Sequence, residues 1–331
     1  MFLRRLAVPA TALLLVGCSV TSGDEEVNES TSSAEESSYP RTIEVPAEGD
    51  QDPVDVTLDS EPERVAALTY ETGELVASLG ESDRLVAAQE SLTNPAISSH
   101  AEEFEDVEHH IPTEGNIDAE AVMATNPDLV LLSTRRGLEE GAAKVLEGAG
   151  IPVITLPNHW ANMEEINSNI ETVGEALAVE DAADELVKSL EEGLVQEEGD
   201  DASKPRVLAL SNQAGQPFVV AGEAFPLQLL ELAGARDAGA ELGFERSGPI
   251  SAEQVIAAEP DAILLIDMNG SGEKIFDPLL ENDAIASLSA ASPENVMLIE
   301  GQKVQAMGFE STLDGRDEIA AWLTEEVTAH D

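Results

Sequence analysis

Apolar residues in this 331-residue chain follow two alternating patterns. Short runs that are apolar throughout, such as LVLL and AILLI, alternate with longer stretches in which apolar residues return every three or four positions. The first pattern marks strands buried on both faces, as in a parallel sheet flanked by helices, and the second marks helices with one apolar face. Strands are therefore expected at 64–68, 84–88, 128–133 and 152–156, with a second set at 206–210, 217–221, 261–266 and 296–299. Between the sets, Met163, Ile166, Ile170, Val173 and Leu177 recur at helical spacing, and Ala183, Leu186, Val187 and Leu190 continue the pattern after a dip at 179–181. That predicts about 30 residues of helix over 163–196 with at most one break, roughly 45 Å long. The fold class is α/β: two Rossmann-like lobes with parallel-rich sheets, 62–162 and 204–331, joined by a single long helix, with a ligand cleft between them.

One helix–strand unit occurs twice. GNIDAEAVMATNPDLVLLS starts at Gly115, and GPISAEQVIAAEPDAILLI starts 133 positions later at Gly248. Asp118 and Ser251 suit the helix N-cap, and Ser251 with Gln254 fits a capping box. Pro127 and Pro260 end the helices, because the residue before a proline avoids the helical region. Glu120 and Glu253 then fall in the first turn of equivalent helices. An acid there complements the helix dipole by about 0.3–1 kcal/mol, which is reason enough for a glutamate on physical grounds.

The N-terminus changes the picture. Arg4 and Arg5 precede an apolar stretch too short to span a bilayer, which reads as an export signal over 1–18. Its end, Leu15-Val16-Gly17-Cys18, resembles a bacterial lipobox, in which the chain is cut before the cysteine and the thiol is lipidated. Cys18 is the one cysteine in the chain, so no internal disulfide framework exists. Acyl chains contribute about 0.8 kcal/mol per buried CH2, so a multiply acylated Cys18 would hold the protein on a membrane. Residues 19–60 are rich in Ser, Glu and Asp and read as an acidic tether.

With 67 acidic and 16 basic residues the formal charge is −51. Nucleic acid is excluded as a partner class, since phosphate binding needs basic clusters. The acid excess serves solubility and makes each cation worth locating.

The layout as a whole, an exported lipoprotein with A-E-x-V-x-A-x-x-P-D-x-[IV]-[LI]-L in each lobe, resembles the substrate-binding lipoproteins of ABC importers in the class that carries ferric siderophores, haem or cobalamin. ETGELVASLGESDRLVA from Glu71, VLEGAGIPVI from Val145 and LLELAGARD from Leu229 add to the likeness, which covers about 62–329. The resemblance implies an extracytoplasmic, membrane-anchored, monomeric binding protein whose partners are a two-subunit permease and its ATPase. It also implies that Glu120 and Glu253 dock onto permease arginines, one carboxylate per subunit.

Ligands of open α/β sheets bind beyond the carboxyl ends of the strands. That rule selects Tyr70, Gln89, Asn94, Arg135, Arg136, His159 and Trp160 from the first lobe. From the second it selects Asn212, Phe225, Met268, Met307 and Phe309, with Gln213 and Asn269 beside them. Arginine forks suit carboxylates and other oxyanions, and an aromatic ring suits a flat ligand. The cargo is expected to bring its own chelator, a ferric siderophore first, with haem or cobalamin as the alternative and no resident cofactor or metal. Tyr70 and His159 are the candidate axial ligands for haem. His109 and His110 are expected in a loop. No P-loop, G-x-G-x-x-G or G-x-S-x-G motif is present, and the chain is not read as an enzyme. Free zinc or manganese would need convergent His and carboxylates, which these scattered histidines do not offer.

Overall fold

The computed structural model describes residues 39–46, 52–113, 115–134, 137, 139–158, 160, 162–195, 204–325 and 327. Cys18, Arg135, Arg136 and His159 lie outside them. The first element corrects the sequence reading, since part of the segment expected to be tether is a folded hairpin. Strands β1 (Arg41–Val45) and β2 (Val54–Leu58) pair antiparallel, Arg41 opposite Leu58. Ile43, Val45 and Leu58 are buried in the main core. Acidic neighbours mask this alternation in a compositional reading, but period-2 burial of three aliphatic side chains suffices to hold a hairpin on a larger body.

The N-terminal lobe follows as β3 (Val65–Ala67), α1 (Tyr70–Ser78), β4 (Leu85–Gln89), α2 (Ala101–Phe104), β5 (His109–Ile111), α3 (Ala119–Ala124), β6 (Leu129–Ser133), α4 (Glu139–Gly148) and β7 (Val153–Leu156). Its sheet is parallel throughout, in the order β5-β4-β3-β6-β7. Every residue of β6 is buried, as the unbroken apolar run LVLL requires. The His109-His110 segment is an edge strand, not the expected loop: Ala87 and Ala88 of β4 pair with the two histidines, and His110 Nε2 donates to the Phe104 carbonyl at 2.8 Å.

The segment expected as one long inter-lobe helix is two helices, α5 (Met163–Leu177) and α6 (Glu180–Gly193), folded back on each other. Asn167, near the start of α5, donates its amide to Glu191, near the end of α6, at 2.9 Å. The reversal comes from Ala178, which takes the left-handed conformation at φ 59°, while Val179 N–H closes onto the Gly174 carbonyl at 2.9 Å. Gly174 permits the close approach, because a Cβ there would stand 2.4 Å from that of Ala183. Hydrophobic periodicity runs through this turn almost unbroken, so the pattern alone reads as one helix.

The C-terminal lobe contains β8 (Arg206–Gln213), β9 (Gln216–Val219), α7 (Phe225–Leu232), β10 (Arg236–Asp237), β11 (Gly248–Pro249), α8 (Ala252–Ala257), β12 (Ala262–Asp267), α9 (Gly272–Leu280), α10 (Asp283–Ala286), β13 (Val296–Glu300) and α11 (Ser311–Glu325). The order is β11-β9-β8-β12-β13, with β10 beside the start of β8. β8, β12 and β13 are parallel, whereas β9 returns antiparallel through a two-residue turn at Ala214 and Gly215, both at positive φ.

The duplicated unit repeats at atomic detail. Asp118 accepts the N–H groups of Glu120 and Ala121, and Ser251 with Gln254 completes the capping box. The repeated Asp of the P-D pair closes the far end of each unit. Asp128 accepts the Arg64 N–H at 2.9 Å and Asp261 accepts the Arg206 N–H at 2.8 Å, so each carboxylate pins the start of its lobe's central strand. Arg64 in turn donates to the Thr125 and Asn126 carbonyls, and Arg206 to the Ala258 carbonyl, at the C-terminus of α3 and α8.

Candidate functional site

In the N-terminal sheet the chain enters at central β3, builds outward to β5, then crosses back to β6. The reversal of order between β3 and β6 is the point where an open α/β sheet leaves a crevice at its carboxyl edge. Tyr70 follows β3 there, half-buried as the first residue of α1, and Thr134 follows β6. At the end of β4, Gln89 donates its amide to the Leu68 carbonyl at 3.1 Å, which fixes it along the rim.

The C-terminal lobe presents a tightly bonded counterpart. Asn212, at the end of β8, donates to Asp267 at 2.9 Å and Asn269 at 3.1 Å and accepts the Met268 N–H at 2.6 Å. Asp267 Oδ1 also accepts the N–H groups of Asn269, Gly270 and Ser271. Burial works against this carboxylate, but the N–H groups of Gly272, Asn269 and Gly270 and the Asn212 amide outweigh it and hold its pKa below the ordinary value. Asn212 is thus committed to shaping the 267–271 loop, and Met268 is held by its backbone with its sulfur accepting from Gln305 at 3.6 Å.

Among the described residues, two contacts between the lobes stand out. The Trp160 indole stands edge-on to the Phe309 ring, with centroids 6.1 Å apart, and its N–H reaches Ser133 Oγ at 3.4 Å. Trp160, Phe225, Met307 and Phe309 are all buried in one apolar cluster that also takes in core residues of both sheets. These four side chains, expected to face a ligand, are largely buried against apolar neighbours, and Trp160 with Phe309 makes that contact across the lobes. At the second place, Asn94 donates to the Asn269 carbonyl at 3.3 Å and Gln302 to the Pro95 carbonyl at 2.9 Å.

Glu120 and Glu253 are exposed in the first turns of α3 and α8. Each helix leads into a parallel strand, α3 into β6 and α8 into β12, so its first turn lies at the helix end farther from that strand's start. The Glu253 carboxyl is held below the usual range by its own backbone N–H and by the Ser251 hydroxyl.

Two features escaped the sequence reading. A cavity of about 370 Å3 lies between the hairpin and the first lobe, lined by Val45, Val54, Val56, Glu140, Glu147, Thr155 and Pro157 among others. It depends on a hairpin that composition hid. A second depression, on the other lobe, is lined by Phe218, Phe244 and Arg246, in GFERSG, which carries no motif of its own. Among the described residues, no group of three or more His, Cys, Asp or Glu is placed to hold a metal ion, and no helix is long and apolar enough to cross a membrane.

Two α/β lobes bonded to each other through segments that follow their strands suit a bilobal binding protein, and comparison with known proteins agrees. Residues 65–302 match the family described as Periplasmic binding protein, and the chain belongs to that family. A protein of Bacillus subtilis (strain 168) described as the uncharacterized ABC transporter substrate-binding lipoprotein YvrC is 27% identical over 268 residues, 79% of each chain. The fold is similar to that of the periplasmic heme-binding protein RhuT from Roseiflexus sp. RS-1 in apo form, with TM-score 0.65, 20% identity, and coverage of 80% of this chain and 99% of that one. A periplasmic heme-binding protein from Pseudomonas aeruginosa gives TM-score 0.65 at 23% identity, over 82% and 95% of the two chains. A periplasmic solute binding protein from Veillonella parvula DSM 2008 gives 0.66 at 19%, over 85% of each.

Proposed function

We propose that this protein is the substrate-binding lipoprotein of an ABC importer, anchored outside the cell membrane through Cys18, and that it captures an iron chelate for delivery to a two-subunit permease. The observation that carries this reading is the pair of exposed glutamates, Glu120 and Glu253, in equivalent first turns of a duplicated unit, one in each lobe. A receptor with two-fold symmetry meets such a pair with one subunit each. The YvrC likeness supports the importer assignment. No step of chemistry on the cargo is involved.

The favoured cargo is a ferric siderophore. Tyr70, Gln89, Asn94 and Met268 offer hydroxyl, amide and thioether groups at the rim, and Arg135, Arg136 and His159 follow the residues of β6 and β7 in the sequence. Arginines there would neutralise an anionic chelate. Haem is the second reading. Tyr70 sits half-buried at the switch point, where a phenolate could ligate iron, and the solved structures of similar fold include heme-binding proteins. Titration with a ferric trihydroxamate, a ferric catecholate, haemin and cyanocobalamin, followed by absorbance and tryptophan fluorescence, separates these. Saturable 1:1 binding of a ferric chelate supports the first reading, a haem spectrum that Tyr70→Phe alters supports the second, and no binding of any probe contradicts both.

A further inference from the structure

The second inter-lobe contact is built differently from the apolar one. A single turn, 94–98, reaches from the first lobe to the second. Asn94 Nδ2 meets the Asn269 carbonyl at 3.3 Å, the Pro95 carbonyl accepts from Gln302 at 2.9 Å, and a Cβ at Gly270 would stand 3.7 Å from that of Ala96. Its two C-terminal-lobe partners are the loops that follow β12 and β13, so the turn bridges carboxyl ends of strands on both sides. Inside the turn, Asn94 caps the Ala96 N–H at 3.0 Å and its carbonyl accepts from Ile97 and Ser98.

The turn is moored to the first lobe by one buried acid. Glu74, on α1, is 1% exposed. Its carboxylate accepts the Ser98 hydroxyl at 2.5 Å, the Ser99 hydroxyl at 3.1 Å and the Ser99 N–H at 3.3 Å, and Ser98 Oγ accepts from the His100 N–H at 3.0 Å. A carboxylate taken out of water is tolerated when donors converge on it, and it then fixes those donors in place. Two hydrogen bonds across the cleft are weak enough to part, each being worth about 1 kcal/mol net, whereas the mooring holds the turn ready to re-form them.

We propose that residues 94–100 form a latch that closes one mouth of the cleft, and that Glu74 is the residue that positions it. The proposal rests on the cargo-binding reading and adds to it a control on cargo exchange. Opening the cleft breaks the latch bonds, and cargo leaves at a rate set by how often they part.

The test uses the disulfide variant Ala96→Cys/Gly270→Cys of the full chain. A Cβ separation of 3.7 Å lies within the disulfide range. Gly270 has φ +80°, so cysteine there is strained, and the single variants serve as controls. The probes are haemin and a ferric trihydroxamate. Oxidation is expected to slow probe exchange by about tenfold or more, with recovery on reduction, since affinity changes in related complexes appear mainly in dissociation rates. Equal exchange in the oxidised and reduced protein overturns the latch.

Glu74 is tested by amide hydrogen exchange. Glu74→Ala is expected to raise exchange at 94–100 by about tenfold while Glu74→Gln, whose carbonyl oxygen can still accept from Ser99 and whose amide can donate to the Ser98 hydroxyl, stays within about twofold of wild type. Unchanged protection in Glu74→Ala overturns the positioning role. A wild-type protein that binds neither probe counts against the cargo reading, and the ligand-free exchange measurement then decides the latch alone.

Discussion

The Trp160 indole and the Phe309 ring meet edge to face, 6.1 Å between centroids, and so join the end of the first lobe's sheet to the loop preceding α11. Phe309 adopts φ 41°, a region unfavourable to a non-glycine residue, and is fully buried. Local strain of this kind persists where the surroundings dictate it. Here full burial and the Trp160 contact surround the Phe309 side chain.

Removing the indole leaves a cavity at the lobe junction. Trp160→Ala is expected to lower unfolding free energy by about 3–5 kcal/mol, and Trp160→Phe by much less. Urea denaturation followed by far-UV circular dichroism measures both. Equal, small losses for the two variants would show that the junction does not depend on this pair.

Asp128 pins Arg64, the residue just before β3, and Asp261 pins Arg206, the first residue of β8. Replacing either by Ala strips a charge-assisted acceptor from backbone N–H groups, at a cost of about 1.5–3 kcal/mol each. The two losses should be similar, because the surroundings are equivalent, and additive, because they lie in different lobes. A double-mutant denaturation series checks both expectations.

Glu74 makes stability depend on pH. Burial raises its pKa above the ordinary carboxylate value, and the hydrogen bonds of Ser98 and Ser99 and the nearby His100 offset this only in part. The folded state then binds more protons than the unfolded state between the ordinary value and the raised one. Its contribution to stability therefore falls as pH rises through that window and returns on acidification. Glu74→Gln should remove this component, so that the difference in denaturation midpoint between variant and wild type grows with pH across the window and then levels off. A difference independent of pH would contradict it.

Glu120→Lys and Glu253→Lys place cations where the permease is expected to present arginines. Each is expected to reduce chelate uptake by about tenfold or more, with the affinity for the free chelate within about twofold of wild type, because rim charges steer association more than they hold cargo. Radio-iron uptake in cells beside equilibrium titration of the purified variant makes the comparison.

Much of this molecule is legible in its sequence, for identifiable reasons. The apolar runs locate eight strands to within a few residues; six of them, β3, β4, β6, β7, β8 and β12, are largely buried on both faces and so leave few polar positions, whereas β9 and β13 are partly exposed. The caps at Asp118 and Ser251 are local chemistry and read directly. The hairpin at 41–58 is hidden because its apolar residues are diluted by acids and threonines, and burial comes only from tertiary contact. The turn at Ala178 is hidden because an alanine fills a left-handed position that usually carries glycine or asparagine. At the site, topology selects the strand-end residues but not their orientation. Asn212 turns inward to bond Asp267, and Phe309 packs on Trp160, through contacts 55 and 149 positions away in sequence. No local pattern encodes these choices.

The cargo is the property that decides what this protein does. Native mass spectrometry of the protein recovered from an iron-starved culture of its own organism, released gently and kept unheated, reads it directly. The account predicts one iron-bearing small molecule bound per chain. Protein recovered only without cargo, and still without it after incubation with the culture's own chelate extract, would contradict the central claim.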